Sequence, residues 1–191
     1  MNSSSSSSKL SDFITNPDIT NLMAQGTINS GTLTAGSGSD VGFTGSITAT
    51  KVWNAVWNDI ADFQLLLGEL DYGKCYVDTA DGAKICSERC QMGVIGIASD
   101  TFGYGVGTRE DQRQVPIGVC GWVLAYLDKE YTCGTPLTND ENGNLTEMTL
   151  EEKRDYPERI VALYKKPEYD KSFGPEDNKI EVKGRHWVKI K

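Results

Sequence analysis

Few residues in this chain have the types and spacing that chemistry requires. Ser39-Asp40, inside "GSGSDVGF", joins a hydroxyl to an acid in a glycine-rich stretch. Such a bond can cleave itself where a neighbouring side chain activates the hydroxyl or the carboxylate; without that neighbour it is a turn. Cys86 and Cys90 stand four apart with Cys75 upstream, a set that could offer three thiolates to a metal. Zinc motifs bring two close pairs, however, and His186 is the sole histidine. The cysteines therefore read as buried structural thiols, which pack like small hydrophobes, and no metal or cofactor is expected. "NDENGN" (139–144) resembles a calcium loop, but its glycine spacing differs and no distal Glu closes it, so it reads as a hairpin. A serine or cysteine triad needs an imidazole base, and the one histidine sits in the strand-like "RHWV". Walker, Rossmann, G-x-S-x-G and H-E-x-x-H patterns are absent. The chain reads as non-enzymatic.

The elements that would position these residues fall into two regions with different composition. Half of the first 50 residues are Ser, Thr or Gly, while all four tryptophans, eight tyrosines and five cysteines lie beyond them. So polar an opening cannot bury enough apolar surface to fold alone. Residues 1–24, with a serine tract at 3–8, read as an arm that anchors on another protein. Residues 25–50 repeat Gly31-Thr-Leu-Thr-Ala35 as Gly45-Ser-Ile-Thr-Ala49. Short β-prone triplets separated by glycine cannot build a core in one chain. Three chains wound together can, with Ile28, Leu33, Val41, Phe43 and Ile47 turned to a shared axis.

Residues 51–191 read as a compact β-barrel or sandwich knob. Val52, Val56, Ile60, Phe63 and Leu67 recur at helical steps, widened by Trp53 and Trp57, and predict a helix over 51–67 that packs against the knob or a second chain. Beyond Gly68, short apolar runs alternate with turn signals. Asp81-Gly82, Asn142-Gly143 and Lys183-Gly184 each predict a hairpin. Thr149 with Glu152 forms a capping box ahead of "LEEKRD", which predicts one short helix stopped by Pro157. Many short strands with frequent turns make the fold mainly β.

The formal net charge of −8, with scattered basic residues, argues against nucleic acid or an anionic membrane as partner. No apolar run approaches the roughly 18 residues that span a bilayer. The polar start has neither the basic nor the apolar region of a secretion signal.

"VWNAVWNDIADF" (52–63), "IGIASDTFGYGVG" (95–107), "QVPIGVCGWVLAYLD" (114–128), "EMTLEEKRDYPERIVAL" (147–163) and "VKGRHWVKI" (182–190) follow one another in this order. Together they resemble the C-terminal domain of structural proteins in phages and prophages of Gram-positive bacteria. That domain is similar, more distantly, to the autocleaving intramolecular-chaperone domain of phage tail appendages. The resemblance implies a trimer-forming β domain behind a fibre, in a virion assembled in the host cytoplasm. The implied partners are two further copies of the chain, capsid or tail proteins, and a host cell-surface component. It also implies an alternative, self-cleavage between Ser39 and Asp40. Ala61-Asp62 stands where Ala-Glu is common in that family.

Overall fold

The computed structural model describes residues 58–109, 111–174 and 179–191. The arm (1–24), the shaft (25–50), Ser39, Asp40, Ile28, Leu33, Val41, Phe43, Ile47, Val52, Trp53, Val56 and Trp57 lie outside the described residues.

Twelve strands carry the described fold: β1 (Asp59–Leu65), β2 (Cys75–Thr79), β3 (Gly82–Ile85), β4 (Val94–Ala98), β5 (Phe102–Val106), β6 (Gln114–Ala125), β7 (Pro136–Asn139), β8 (Leu145–Glu147), β9 (Ala162–Lys166), β10 (Ser172–Phe173), β11 (Ile180–Glu181) and β12 (His186–Ile190). Helix α1 (Leu150–Asp155) is followed by a 3-10 turn at Pro157–Arg159. Ten strands form one sheet, ordered β3-β2-β4-β6-β12-β9-β7-β8, with β1 pairing both β5 and β6; β10 and β11 pair separately. The large sheet curls into a half-barrel, so the expectation of a mainly β knob is met.

β6 is the strand on which this arrangement turns. Its first part pairs antiparallel with β1 and β4, and its last four residues pair with β12. Between the two sets of partners, "GVCG" (118–121) provides a break. The β1–β6 register slips between Ile60 and Ala61, so that Ile60 faces Cys120 while Ala61 faces Gly118. This is a bulge, which bends the strand and increases its twist. Gly121 sits at φ +111°, and a Cβ there would lie 2.6 Å from Asp59 Cα. Gly118 is closed in as tightly, by Ile190 and Val123. On either side of the break β6 feeds separate parts of the core. Val115 and Ile117 pack with Tyr76, Ala83 and Ala98; Val123 and Ala125 pack with Leu137, Ala162 and Val188.

The local signals hold where their hydrogen bonds are local. β2 and β3 form the hairpin expected at Asp81-Gly82. β7 and β8 form the one at Asn142-Gly143, where Asp140 Oδ1 accepts from Asn142 N–H (2.8 Å) and Asn144 N–H (2.7 Å). That carboxylate is committed to holding its own turn. The capping box of α1 is formed in both directions, Glu152 N–H to Thr149 Oγ1 at 3.1 Å and Thr149 N–H to Glu152 Oε2 at 2.7 Å.

Two expectations are corrected. Within the expected helix 51–67, the described residues Asp59–Leu65 are strand β1. The core-facing positions at its start are Asp59 and Ala61, both fully buried, while Ile60 is only partly so. The true period is two, carried by a buried acid and a small residue, and the helical spacing of Ile60, Phe63 and Leu67 is coincidental. Nor do the strands flanking Lys183-Gly184 pair with each other. The turn is present, with Lys183 at φ 52° and Gly184 at φ 74°, but β11 pairs with β10 while β12 inserts between β6 and β9. Arg185, at the start of that insertion, is 2% exposed and grips Asp100 with both terminal nitrogens, at 2.8 and 2.9 Å.

Gly121→Ala forces a side chain into a left-handed position against the β1 backbone. It is expected to lower stability by about 2–4 kcal/mol, read as a fall in the denaturation midpoint. Thr149→Ala removes one cap and is expected to cost about 1 kcal/mol by the same measurement.

Candidate functional site: the β1–β5–β6 face

Chain entry into the domain is fixed by a buried polar cluster. Trp122 N–H donates to Asn58 O at 3.0 Å, which starts β1 against the bend in β6. The next residue, Asp59, is wholly buried beside Ser99 and Thr101, which are also 0% exposed. Thr101 Oγ1 donates to Asp59 Oδ1 at 2.9 Å, Ser99 and Thr101 share a hydroxyl contact at 3.1 Å, and Thr101 N–H donates to Ser99 Oγ at 3.1 Å. Asp59 Oδ2 and Asn58 Nδ2 are buried and find no hydrogen-bond partner among the described residues. Burial pushes the Asp59 carboxyl up to about 6, against the pull of the Ser99 and Thr101 hydroxyls, and the nearby Asp100 carboxylate adds to the rise. Chemically the cluster can hold a proton, and its three side chains are wholly buried. Its role is to seat β1.

Above it lies an apolar face. β1 runs parallel to β5 and antiparallel to β6, and the registers place Ile60 between Tyr104 and Cys120. Directly paired residues share a face, so these three form one row. Tyr104 is 53% exposed, and Val106, Val119 and Trp122 are exposed with it. Lys165 Nζ stands 4.8 Å above the Trp122 ring. β5 pairs with no strand other than β1 among the described residues, which makes it an edge strand of that set. Phe63 packs on the other side of this corner, edge-to-face with Phe102 at 5.4 Å. Its ring covers Gly105, where a Cβ would approach it to 2.7 Å.

Of the residues singled out from sequence, Ile60 and Phe63 belong to this corner. Tyr104, Val106, Val119 and Trp122 were missed, as were Asp59, Ser99 and Thr101. One signal was readable, the alternation in "YGV" (104–106), which puts Tyr104 and Val106 on one face of the strand and Gly105 on the other. The three cysteines divide. Cys75 and Cys86 are neighbours in the core, whereas Cys90 N–H is bonded to Asn139 O at 2.9 Å. Among the described residues no three His, Cys, Asp or Glu side chains gather in a way that could hold a metal ion.

No family model matches the chain, and no curated protein matches it in sequence. Among solved structures, its fold is similar to that of the pre-mature gene product 12 of bacteriophage phi29, with a TM-score of 0.51 and 14% identity over 77% of this chain. The chain spans 23% of the length of that protein. The likeness is one of fold.

An acid whose folded pKa is raised binds its proton more tightly in the native state than in the unfolded one, so its contribution to stability falls as pH rises through the folded value. The Asp59 contribution is therefore greatest below its ordinary carboxyl range and is lost across pH 4 to 6. Asp59→Asn abolishes that slope. The difference in stability between variant and parent is expected to change by about 1–3 kcal/mol between pH 4 and pH 7, in the direction that favours the parent at low pH. Thermal melts of both across that range measure it.

Proposed function

We propose that this chain is a bacteriophage structural protein: a short head- or tail-attached fibre whose C-terminal β domain assembles as a homotrimer and is displayed at the virion surface. The observation that carries the reading is the fold likeness to a phage gene product, taken with the ordered motifs of the sequence. The β1–β5–β6 face supports the assembly step. An exposed apolar row reaching an edge strand is a surface that proteins ordinarily cover. It includes β1, the first described strand in sequence. Residues 1–24 then attach to capsid or tail proteins. Surface display in triplicate lets weak contacts with a host cell-surface component gain avidity. The negative charge keeps nucleic acid from the partner list.

A second reading is favoured by the form of the similar phage protein, which is pre-mature. Here the domain would serve as a self-cleaving assembly chaperone, with the break between Ser39 and Asp40. Intact-mass measurement separates the two. A full-length chain in the assembled particle supports the fibre, and a chain beginning at Asp40 supports the chaperone.

In solution the full chain is expected at three times its mass of 20.9 kDa. A stable monomer at micromolar concentration overturns the trimer. Tyr104→Arg places a charge in the row without touching the core, and is expected to weaken association at least tenfold while leaving the melting behaviour of the separated chain intact. Light scattering against concentration reads that change.

A further inference from the structure

The open end of the β2–β3 hairpin brings two buried thiols face to face. The strands pair antiparallel from Thr79↔Gly82 to Tyr76↔Ile85, and one further step along the register sets Cys75 opposite Cys86. The backbone makes that step, Cys86 N–H donating to Cys75 O at 2.9 Å. Opposed residues of an antiparallel pair point to the same face, with Cα atoms about 5.5 Å apart where they are hydrogen-bonded. A disulfide spans Cα separations of about 4.4–6.8 Å. Both side chains enter the same core cluster, and the carbonyl of Gly143 caps the pair from the neighbouring hairpin, accepting from Cys75 N–H at 2.8 Å.

We propose that Cys75 and Cys86 are a latent cross-strand disulfide, a covalent latch that closes this hairpin when the folded protein meets a small-molecule disulfide. In the reaction one cysteine sulfur displaces a thiol from the oxidant, and the second then displaces the remaining half. One sulfur–sulfur bond forms in the protein, one is lost from the oxidant, and the two thiol protons end on the two departing thiols. The protein pair is oxidised by two electrons and the oxidant is reduced by two.

The setting determines how fast this happens. Burial pushes the Cys86 thiol up to about 12 and holds the Cys75 thiol well above its ordinary range. The attacking thiolate is therefore scarce in the closed state. β3, however, is only four residues long and is held on its outer side by one bridge, Leu66↔Ala83, with Leu67 N–H donating to Ala83 O at 2.8 Å, and so short an element opens locally before the whole fold does. Oxidation is thus slow, limited by opening of β3, and the bond is shielded once the strand closes again. Cys120 and Cys133 are exposed and react first, though each yields only a mixed disulfide with the oxidant or a link between chains.

The test is to incubate the folded full-length protein, carrying Cys120→Ser and Cys133→Ser to silence the exposed thiols, with oxidised glutathione. Unreacted thiols are then blocked and the chain is digested with trypsin without reduction. Cleavage after Lys84 and Arg89 places the two cysteines in separate peptides, 75–84 and 85–89, so their joined mass identifies the bond. The expected result is that joined pair, together with a rise of about 5 °C in the melting midpoint that dithiothreitol reverses. Adding Cys86→Ser removes both the joined peptide and the rise. Recovery of both peptides with blocked thiols after the protein has been held oxidised and then unfolded, or a bond from either cysteine to Cys90 instead, overturns the proposal.

Discussion

A single β-strand changes partners along its length, and the rest of this domain depends on how β6 manages it. Its first part holds β1 and β4, and its end holds β12. The change of partner takes place across four residues bounded by glycines, where a Cβ would strike the β1 backbone at Gly121 or the side chains of Val123 and Ile190 at Gly118. Because the bend is there, the curled sheet wraps its two main hydrophobic clusters on either side of it. Val119 and Trp122, at and beside the same bend, are exposed, so core packing and the exposed apolar face share one geometric origin. The domain could not straighten β6 to cover that face without giving up the pairing with β12.

The buried Asp59 belongs to the same constraint. Its carboxyl lies 3.1 Å from where a Gly118 Cβ would be, directly inside the bend, and hydroxyls alone hold it. A buried carboxyl held only by hydroxyls is costly when ionised, so the corner that presents the apolar face is sensitive to proton concentration. Stability and presentation of the face are coupled through a few residues at the point of chain entry.

Much of the fold was legible where it is held by near neighbours in sequence. The hairpin at Asn142-Gly143 could be read because Asp140 bonds to residues two and four positions away, and α1 because Thr149 and Glu152 bond each other. β1 was misread because the alternation that marks a strand is carried there by Asp59 and Ala61, residues no hydrophobic pattern counts. Arg185 gave no sign of burial, since its partner Asp100 is 85 positions distant. The interaction face was illegible for a related reason. Tyr104, Ile60 and Cys120 come from three strands, and their row exists only once a bulge has set the register between them. Cys75 and Cys86 were noticed as possible metal ligands with Cys90, but spacing along the chain could not reveal that two of the three are cross-strand neighbours.

The place of β12 has a consequence for the order in which the chain can acquire its structure. It is the last described strand in sequence yet lies between β6 and β9 in the middle of the sheet. During synthesis, every earlier strand emerges before the one that joins the two halves. Non-local pairing of this kind is slow because loop closure precedes the gain in contacts. A chain that stops short of residue 186 therefore lacks the strand that pairs with both β6 and β9, and its two parts meet only through contacts such as the Leu127↔Leu145 bridge.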